Sequence, residues 1–177
     1  QWICLSEELA HQVKTFTHFP EKRIQVIPLA LVDGPQSKPY KGGTFKTLGI
    51  GRWDPQKNQH IVVNAFHMLY HRYPQLELTF IGESTAGESE AYEKDIKKKV
   101  RHWDLQNVIH FKKFQYQLTD FYADAHLFII PSLKETFGMV TIEAMRAGLP
   151  ILGANTGGTR MLIEENQCGD TFAPDNA

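Results

Sequence analysis

Short runs of aliphatic and β-branched residues alternate along the chain with longer stretches in which apolar residues recur every three or four positions. Each short run ends at a glycine, a proline or a polar turn, so that strands and helices follow one another. This alternation is typical of α/β domains in which crossover helices join parallel strands. It predicts a doubly wound parallel sheet, with strands at residues 23–27, 46–50, 76–81, 108–112, 126–130 and 150–154.

Two of the predicted helices carry clear apolar stripes. One covers residues 58–73 and ends before Pro74, and the other covers residues 89–103. Residues 1–35 are predicted to form an opening segment with a strand and a helix that lead into a domain of residues 36–177. No closing helix follows the last extended piece, so we expect the domain to be truncated at its C-terminal end.

The composition excludes several classes of partner. The 19 lysines and arginines balance 20 aspartates and glutamates, so the chain has no overall field to hold nucleic acid or an anionic membrane. The two cysteines, Cys4 and Cys168, lack metal-ligand spacing and indicate a reducing cytoplasm. Neither a secretory leader nor a run of apolar residues long enough to span a bilayer is present. This leaves open only peripheral contact with the inner face of the membrane, through a partner domain.

Several well-known catalytic motifs are missing. Gly49 and Gly51 follow a strand as in a dinucleotide fingerprint, but Asp54 stands where the third glycine is required. The eight histidines show no HExxH spacing and no ligand pattern with cysteine, so no metal site is expected. Neither a G-x-S-x-G elbow nor a Walker phosphate loop occurs. These absences argue against nicotinamide, metal, serine-hydrolase and P-loop chemistry.

Two cations follow the predicted strand at 46–50. Arg52 and Lys57 flank a turn at the start of the next helix, at the sheet edge where doubly wound domains bind ligands. Together with the amides at a helix N-terminus they could hold a diphosphate through charge-assisted hydrogen bonds. A solvated turn with Asn58 as the helix cap explains the same residues equally well.

The strongest pattern follows the predicted strand at 126–130. Gly138 lies in a turn that opens a helix, where it lets the backbone approach a ligand and directs the amides of Gly138, Met139 and Val140 at an anion. Glu135 and Glu143 flank this turn, and a carboxylate accepts hydrogen bonds from the vicinal hydroxyls of a sugar. Either glutamate alone is explained as an ordinary helix residue, but the whole set favours binding.

Further loops at the same edge give weaker signals. Gly82 follows the predicted strand at 76–81 and would let a ligand lie against the backbone. Lys113 and Phe114 follow the strand at 108–112 and could frame a nucleobase. For Phe114, simple packing is the better explanation.

At these residues the chain resembles the retaining glycosyltransferases of family 4, which have the two-domain GT-B fold. The resemblance covers nearly the whole chain and depends on two glutamates, Glu135 and Glu143, with seven residues between them. They lie within Pro-Ser-Leu-Lys-Glu-Thr-Phe-Gly and Glu-Ala-Met-Arg-Ala-Gly-Leu-Pro. The family's G-R-x4-K turn matches Gly51, Arg52 and Lys57. Lys113 departs from the pattern, since many members have glycine there.

The resemblance implies a Rossmann-like half of a GT-B enzyme that binds a nucleoside-diphosphate sugar. Its catalytic residues would be Arg52, Lys57 and Glu135. Arg52 and Lys57 would neutralise the diphosphate leaving group, Glu135 would hold sugar hydroxyls and Glu143 the ribose. The amides after Phe137 would cradle phosphate or sugar. The implied reaction transfers the sugar to an acceptor hydroxyl with retention of configuration and needs neither cofactor nor metal ion.

The resemblance also implies a partner domain. The N-terminal domain of the full-length protein, which binds the acceptor, would be absent from this chain, and we expect the isolated fragment to be inactive. A glycan or a lipid-linked molecule would be the acceptor. Two alternatives remain open at this point: another GT-B enzyme, such as a glycogen synthase-like or sucrose synthase-like transferase, and a non-catalytic nucleotide-sensing or interaction domain with the same fold.

Overall fold

The fold was obtained as a computed structural model that describes residues 1–5, 7–27, 31, 34–135 and 138–174, without the side chain of Glu8. The described strands are β1 (Trp2–Cys4), β2 (Ile24–Val26), β3 (Phe45–Ile50), β4 (Leu76–Ile81), β5 (Ile109–Lys112), β6 (Leu127–Ile130), β7 (Ile151–Ala154) and β8 (Gly169–Phe172). The α-helices are α1 (Glu7–Thr17), α2 (Gln59–Leu69), α3 (Glu88–His102), α4 (Thr119–Asp124), α5 (Met139–Arg146) and α6 (Gly157–Asn166). Short 3-10 turns cover Glu21–Arg23 and Pro55–Lys57.

Six of the strands form one parallel sheet in the order β5-β4-β3-β6-β7-β8. The chain starts at the centre with β3, adds β4 and β5 on one side, and then crosses over to add β6, β7 and β8 on the other. This confirms the predicted doubly wound parallel sheet. Its strand order is that of two mononucleotide-binding halves joined at a switch point between β3 and β6.

The two faces of the sheet carry separate apolar clusters. Helices α2 and α3 cover one face, where their apolar side chains pack against Leu78, Phe80 and Ile109 from the strands. Helices α4, α5 and α6 cover the other face around Phe128 and Ile130. Because side chains alternate along a strand, β4, β6 and β7 each contribute to both clusters.

Most predicted boundaries differ from the observed ones by one residue. Strand β7 begins at Ile151 and not at Pro150, since proline has no N–H to donate to the ladder. The predicted helix of residues 58–73 is longer than the observed α2. It ends at Leu69, where the amide of Arg72 donates to the Leu69 carbonyl in the tighter i to i−3 bond that is common at helix ends.

The first 27 residues form a small unit of their own. Strands β1 and β2 pair in parallel, and α1 packs on them through Cys4, Ala10 and Val13. The two strands form a sheet separate from the six-stranded one, so the prediction that the strand at 23–27 belongs to the doubly wound sheet is wrong, and β8 is the sixth strand there. The unit leaves Trp2 and Ile3 exposed, although parallel strands are normally covered on both faces. Within the part of the chain that the structure describes, no helix is long and apolar enough to cross a membrane.

The loops beyond β3 and β4 stay in contact after the strands end. The amide of Gly51 donates to the carbonyl of Ile81 at 3.0 Å, and the amide of Trp53 donates to that of Glu83 at 3.2 Å. A Cβ atom on Gly82 would lie 2.0 Å from the carbonyl oxygen of Gly51. Close packing of two backbones therefore explains the glycine at position 82, and the predicted approach of a ligand is not needed to account for it.

We expect Gly82→Ala to lower the free energy of unfolding by about 1–3 kcal/mol, because the new methyl group meets a backbone that cannot move aside easily. Gly51→Ala is the matched control, since a Cβ there would meet only the Cδ of Lys57 at 4.0 Å. Chemical denaturation of both variants gives the comparison. Equal stability of the two variants would show that the loops can separate without cost.

Candidate functional site

The centre of the sheet's carboxyl edge is a crevice between two loops. The loop after β3 leads to α2 on one face, and the loop after β6 leads towards α5 on the other, so the two loops diverge. Ligands of doubly wound domains bind at this position. Lys57 from the first loop meets Glu135 from the second, with Nζ and Oε2 2.6 Å apart.

The Lys57–Glu135 pair is largely shielded from water. The lysine side chain is 28% exposed and the glutamate side chain 16% exposed, so the attraction is screened less than in a pair on the open surface. The two residues are 78 positions apart in the sequence. The structure thus brings together two of the three residues that the resemblance marks as catalytic.

Arg52, the third of these residues, lies at the rim of the crevice. Its guanidinium Nη2 contacts Oδ2 of Asp54 at 2.8 Å, and the arginine side chain is 57% exposed. The amide of Gln56 and then the guanidinium of Arg52 hold the pKa of Asp54 below its usual range, so this carboxylate stays charged well into the acidic range. An anion that binds Arg52 therefore has to compete with Asp54.

Trp53 anchors this loop in the core. It is 1% exposed and lies edge-on to Phe80 and tilted against Phe111, with ring centroids 5.4 and 5.5 Å away. The hydroxyl of Ser89 donates to the Trp53 carbonyl. With Trp53 fixed, its neighbours Arg52 and Asp54 face the edge of the sheet. Sequence reasoning missed this residue, because a tryptophan next to two charges gives no sign of burial.

Asn58 holds the end of the same loop in a left-handed conformation. Its φ is 55°, and it occupies the N-cap position of α2 as the alternative interpretation predicted, but its side chain makes no capping hydrogen bond to the helix. The side-chain amide instead donates to the carbonyl of Pro174 at 2.9 Å, and the residue is 2% exposed. Asparagine tolerates this backbone conformation better than other residues with a side chain, apart from aspartate. The contact links the segment after β8 to the start of α2.

The loop that carries Glu135 is fastened from both sides. The amide of Leu133 donates to the carbonyl of Gln56 at 2.8 Å, across the crevice. From the β7 side, Thr156 Oγ1 donates to the Ser132 carbonyl at 2.8 Å, and the amide of Gly158 donates to the Glu135 carbonyl at 3.1 Å. Three neighbouring loops are therefore bonded together, which fixes the backbone of Glu135.

Gly138 occupies the predicted turn before α5. Its φ is 71°, a conformation that favours glycine, and a Cβ atom there would lie 3.0 Å from Thr141 Oγ1 and 3.4 Å from Glu135 Cγ. The backbone amides of Met139 and Val140 have no acceptor among the residues that the structure describes. They lie at the positive end of the α5 dipole, where an anion is favoured. Phe137, the remaining predicted residue of this turn, lies outside the described residues.

Glu143 lies in the second turn of α5 and is half-buried. Its Oε2 accepts a hydrogen bond from the hydroxyl of Tyr122 at 2.8 Å. Tyr122 is 1% exposed, and burial and the neighbouring carboxylate raise the pKa of its hydroxyl. The sequence did not single out Tyr122, because a tyrosine in a short helix is usually a packing residue.

The outermost predicted residues lie beyond β5, two strands away from the Lys57–Glu135 pair. Lys113 is exposed and lines a small cavity with Gly82 and Trp53. Phe114 is 54% exposed, and its ring meets only Tyr116, edge-on at 5.0 Å, among the ring contacts of the described chain. The packing explanation for Phe114 is thus wrong, because the residue is exposed.

Titratable side chains do not gather into a metal site in the described ranges, where no three histidine, cysteine, aspartate or glutamate residues come close enough together to hold an ion. Cys4 and Cys168 are both free thiols. The charged pair in the crevice is Lys57 with Glu135, and Arg52 and Asp54 form a second pair at its rim.

The family model described as glycosyl transferases group 1 matches residues 33–177 of this chain. The chain belongs to this family. The predicted resemblance is confirmed at the level of the group 1 glycosyl transferases, because the model of that family covers most of the sequence.

Similar proteins support the same assignment. The D-inositol 3-phosphate glycosyltransferase of Streptomyces scabiei is 26% identical over 179 aligned positions, which cover 93% of this chain and 40% of that protein. Anabaena HepE, crystallised with UDP and glucose, matches with a TM-score of 0.85 at 24% identity over 98% of this chain and 49% of its own. The C-terminal domain of LpcC, a group 1 protein from Francisella tularensis, matches with a TM-score of 0.68 at 21% identity over 82% of this chain and 81% of its own.

These matches show that the group 1 domain has the Rossmann-like fold of GT-B enzymes. The chain spans less than half the length of the Streptomyces and Anabaena proteins. It covers most of the LpcC domain, which is one C-terminal domain by itself.

We expect Asn58→Ala to lower the free energy of unfolding by about 1–2 kcal/mol more than Asn58→Gly does. Both variants lose the hydrogen bond to Pro174, but only alanine is strained in the left-handed backbone conformation, which glycine adopts freely. Thermal or chemical unfolding of the two variants measures the difference. Equal destabilisation would mean that the backbone conformation at residue 58 costs nothing.

Proposed function

We propose that this group 1 domain binds a nucleoside-diphosphate sugar and serves as the donor half of a retaining glycosyltransferase. The observation that carries the proposal is the contact of Lys57 with Glu135 at the switch point of the sheet. A cation and a carboxylate side by side suit a ligand that has a phosphate next to sugar hydroxyls. The group 1 family match supports the same chemistry.

The diphosphate would lie between Lys57 and the N-terminus of α5. The Met139 and Val140 amides at the positive end of the helix offer donors to phosphate oxygens. Arg52 would add a second cation if it left Asp54, from which it is now 2.8 Å distant. As the bond between the sugar and the diphosphate breaks, negative charge grows on the leaving oxygen. Lys57 and these amides would stabilise that charge, which is electrostatic catalysis without a metal ion.

The two glutamates would hold the sugars of the donor. Lys57 occupies Oε2 of Glu135, which leaves Oε1 as an acceptor for a hydroxyl of the transferred sugar. Glu143 would accept hydrogen bonds from the ribose. Lys113 and Phe114, exposed beyond β5, would frame the base. The UDP in the Anabaena structure makes UDP the first nucleotide to test.

The acceptor would bind to a second domain of the same protein. Strands β1 and β2 form a two-stranded parallel sheet with exposed Trp2 and Ile3, and such a sheet is normally covered by further structure. We propose that an N-terminal domain extends this sheet and brings a glycan or a lipid-linked acceptor to the crevice. The chain alone would then bind the donor without transferring the sugar.

We place the full-length protein in the cytoplasm, with peripheral contact to the inner face of the membrane when the acceptor is a lipid. The free thiols of Cys4 and Cys168 suit a reducing compartment. Neither the overall charge nor the site favours nucleic acid as a partner.

We expect UDP to bind in the presence of a chelator and Lys57→Ala to weaken this binding by about tenfold, since a charge-assisted contact to phosphate is lost. Lys98→Ala is the matched control, because Lys98 is exposed on α3 away from the crevice. Isothermal titration calorimetry measures both affinities. Loss of binding on chelation, or equal weakening by the two substitutions, would contradict the proposed site.

The proposed stereochemistry has its own test. The intact protein, incubated with a donor sugar and an acceptor, should give a product with the anomeric configuration of the donor, as read from the coupling constants in its NMR spectrum. An inverted product would refute the retaining assignment and leave donor binding untouched.

A further inference from the structure

Tyr122 has a buried hydroxyl that the proposed reaction does not use directly. The residue lies on α4, is 1% exposed, and packs in the cluster beneath α5, where its ring lies 6.0 Å from that of Phe128. The hydroxyl lies 2.8 Å from Glu143 Oε2 and 3.3 Å from the carbonyl oxygen of Val140.

The direction of the hydrogen bond follows from the chemistry of the two groups. A phenol has a single proton, and an ionised carboxylate can only accept. The carboxylate is both closer and charged, so the proton is donated to Glu143, because charge-assisted hydrogen bonds are shorter and stronger than neutral ones. Burial raises the pKa of Tyr122, which keeps the hydroxyl protonated.

Packing alone does not account for this hydroxyl. A phenylalanine would fill the same space beside Phe128 without burying a polar group, whose burial is costly unless it is bonded. The hydroxyl has two acceptors within 3.5 Å, and both belong to α5. The contact therefore connects α4 with the face of α5 that carries Glu143.

The consequence concerns the freedom of the glutamate. Glutamate has three side-chain torsions, and fixing them on binding a ligand costs conformational entropy. A hydrogen bond to Oε2 fixes the carboxylate before the ligand arrives and leaves Oε1 as an acceptor. Preorganisation of this kind raises affinity by removing part of the ordering cost.

We propose that Tyr122 is a positioning residue, which holds one oxygen of Glu143 so that the other is presented to the vicinal hydroxyls of the nucleotide ribose. This inference rests on the proposed function, since it requires that Glu143 contacts the ribose. It assigns to Tyr122 a part in recognising the ribose, through a residue that the ligand itself never touches.

The test compares two ligands on two proteins. UDP and 2′,3′-dideoxy-UDP are titrated calorimetrically into the intact protein and into its Tyr122→Phe variant. We expect the variant to bind UDP about tenfold more weakly, equivalent to about 1.4 kcal/mol, and to bind the dideoxy ligand as the parent does. A merely structural role would weaken both ligands alike, because the two differ only in the ribose hydroxyls.

Tyr92→Phe is the matched control. Tyr92 is a partly buried tyrosine whose hydroxyl accepts a hydrogen bond from the His60 amide at 3.1 Å on the other face of the sheet. Its loss should leave the preference for UDP over the dideoxy ligand unchanged. The thermal unfolding of both variants confirms that they fold.

The possible failures are distinct. If the parent protein binds UDP and prefers it to the dideoxy ligand, but Tyr122→Phe keeps that preference, the role of Tyr122 is overturned and the proposed function stands. Equal weakening of both ligands by Tyr122→Phe would also overturn it. If the parent protein does not bind UDP, or binds both ligands equally, the ribose role of Glu143 fails and the inference fails with it.

Discussion

Two neighbouring parallel strands at the centre of the sheet, β3 and β6, send the chain to helices on opposite faces. Because the two loops leave the sheet towards opposite faces, they do not fill the space between them, and a crevice opens there at the carboxyl edge. The hydrogen bonds that join the loops, such as that from Leu133 to Gln56, close the crevice at its base and keep its walls fixed. This divergence places Lys57 and Glu135 on opposite walls of the crevice.

The charges in the crevice balance one another. Lys57 and Glu135 are largely shielded from water, and each lowers the cost of placing the other there. Arg52 and Asp54 form a second and more exposed pair at the rim. In the proposed complex, a diphosphate sugar would divide these partners, with the phosphates bound by the cations and the hydroxyls by the carboxylate, so that existing contacts would be replaced by equivalent ones.

Hydrophobic packing supports this arrangement from below. Trp53 holds the β3 loop against Phe80 and Phe111, and Tyr122 reaches from the opposite core to Glu143. These two aromatic residues lie in separate clusters, one on each face of the sheet. Both cores therefore fix the polar edge of the sheet, and a substitution in either core can shift the side chains of the site.

Local patterns in the sequence predicted the sheet class, the approximate strands and the residues at the crevice. They could do so because the side-chain period of a strand and the turn glycine at 138 are short-range features, while the spacing of Glu135 from Glu143 entered through the family resemblance. The end of α2 was misjudged, because apolar spacing continues past Leu69 although the backbone turns there. Trp53 and Tyr122 went unnoticed because their significance depends on neighbours that are far away in the sequence.

The sequence by itself thus determined the alternation of strands and helices, the balance of charge, and the two loops that carry Lys57 and Glu135. Only the tertiary structure decided that these side chains, 78 positions apart, form an ion pair, that Arg52 is held by Asp54, and that the side chain of Asn58 bonds to Pro174 and not to the helix that it precedes. The physical reason is that periodicity and turn chemistry act over a few residues, whereas burial and ion pairing depend on which strands become neighbours in the sheet.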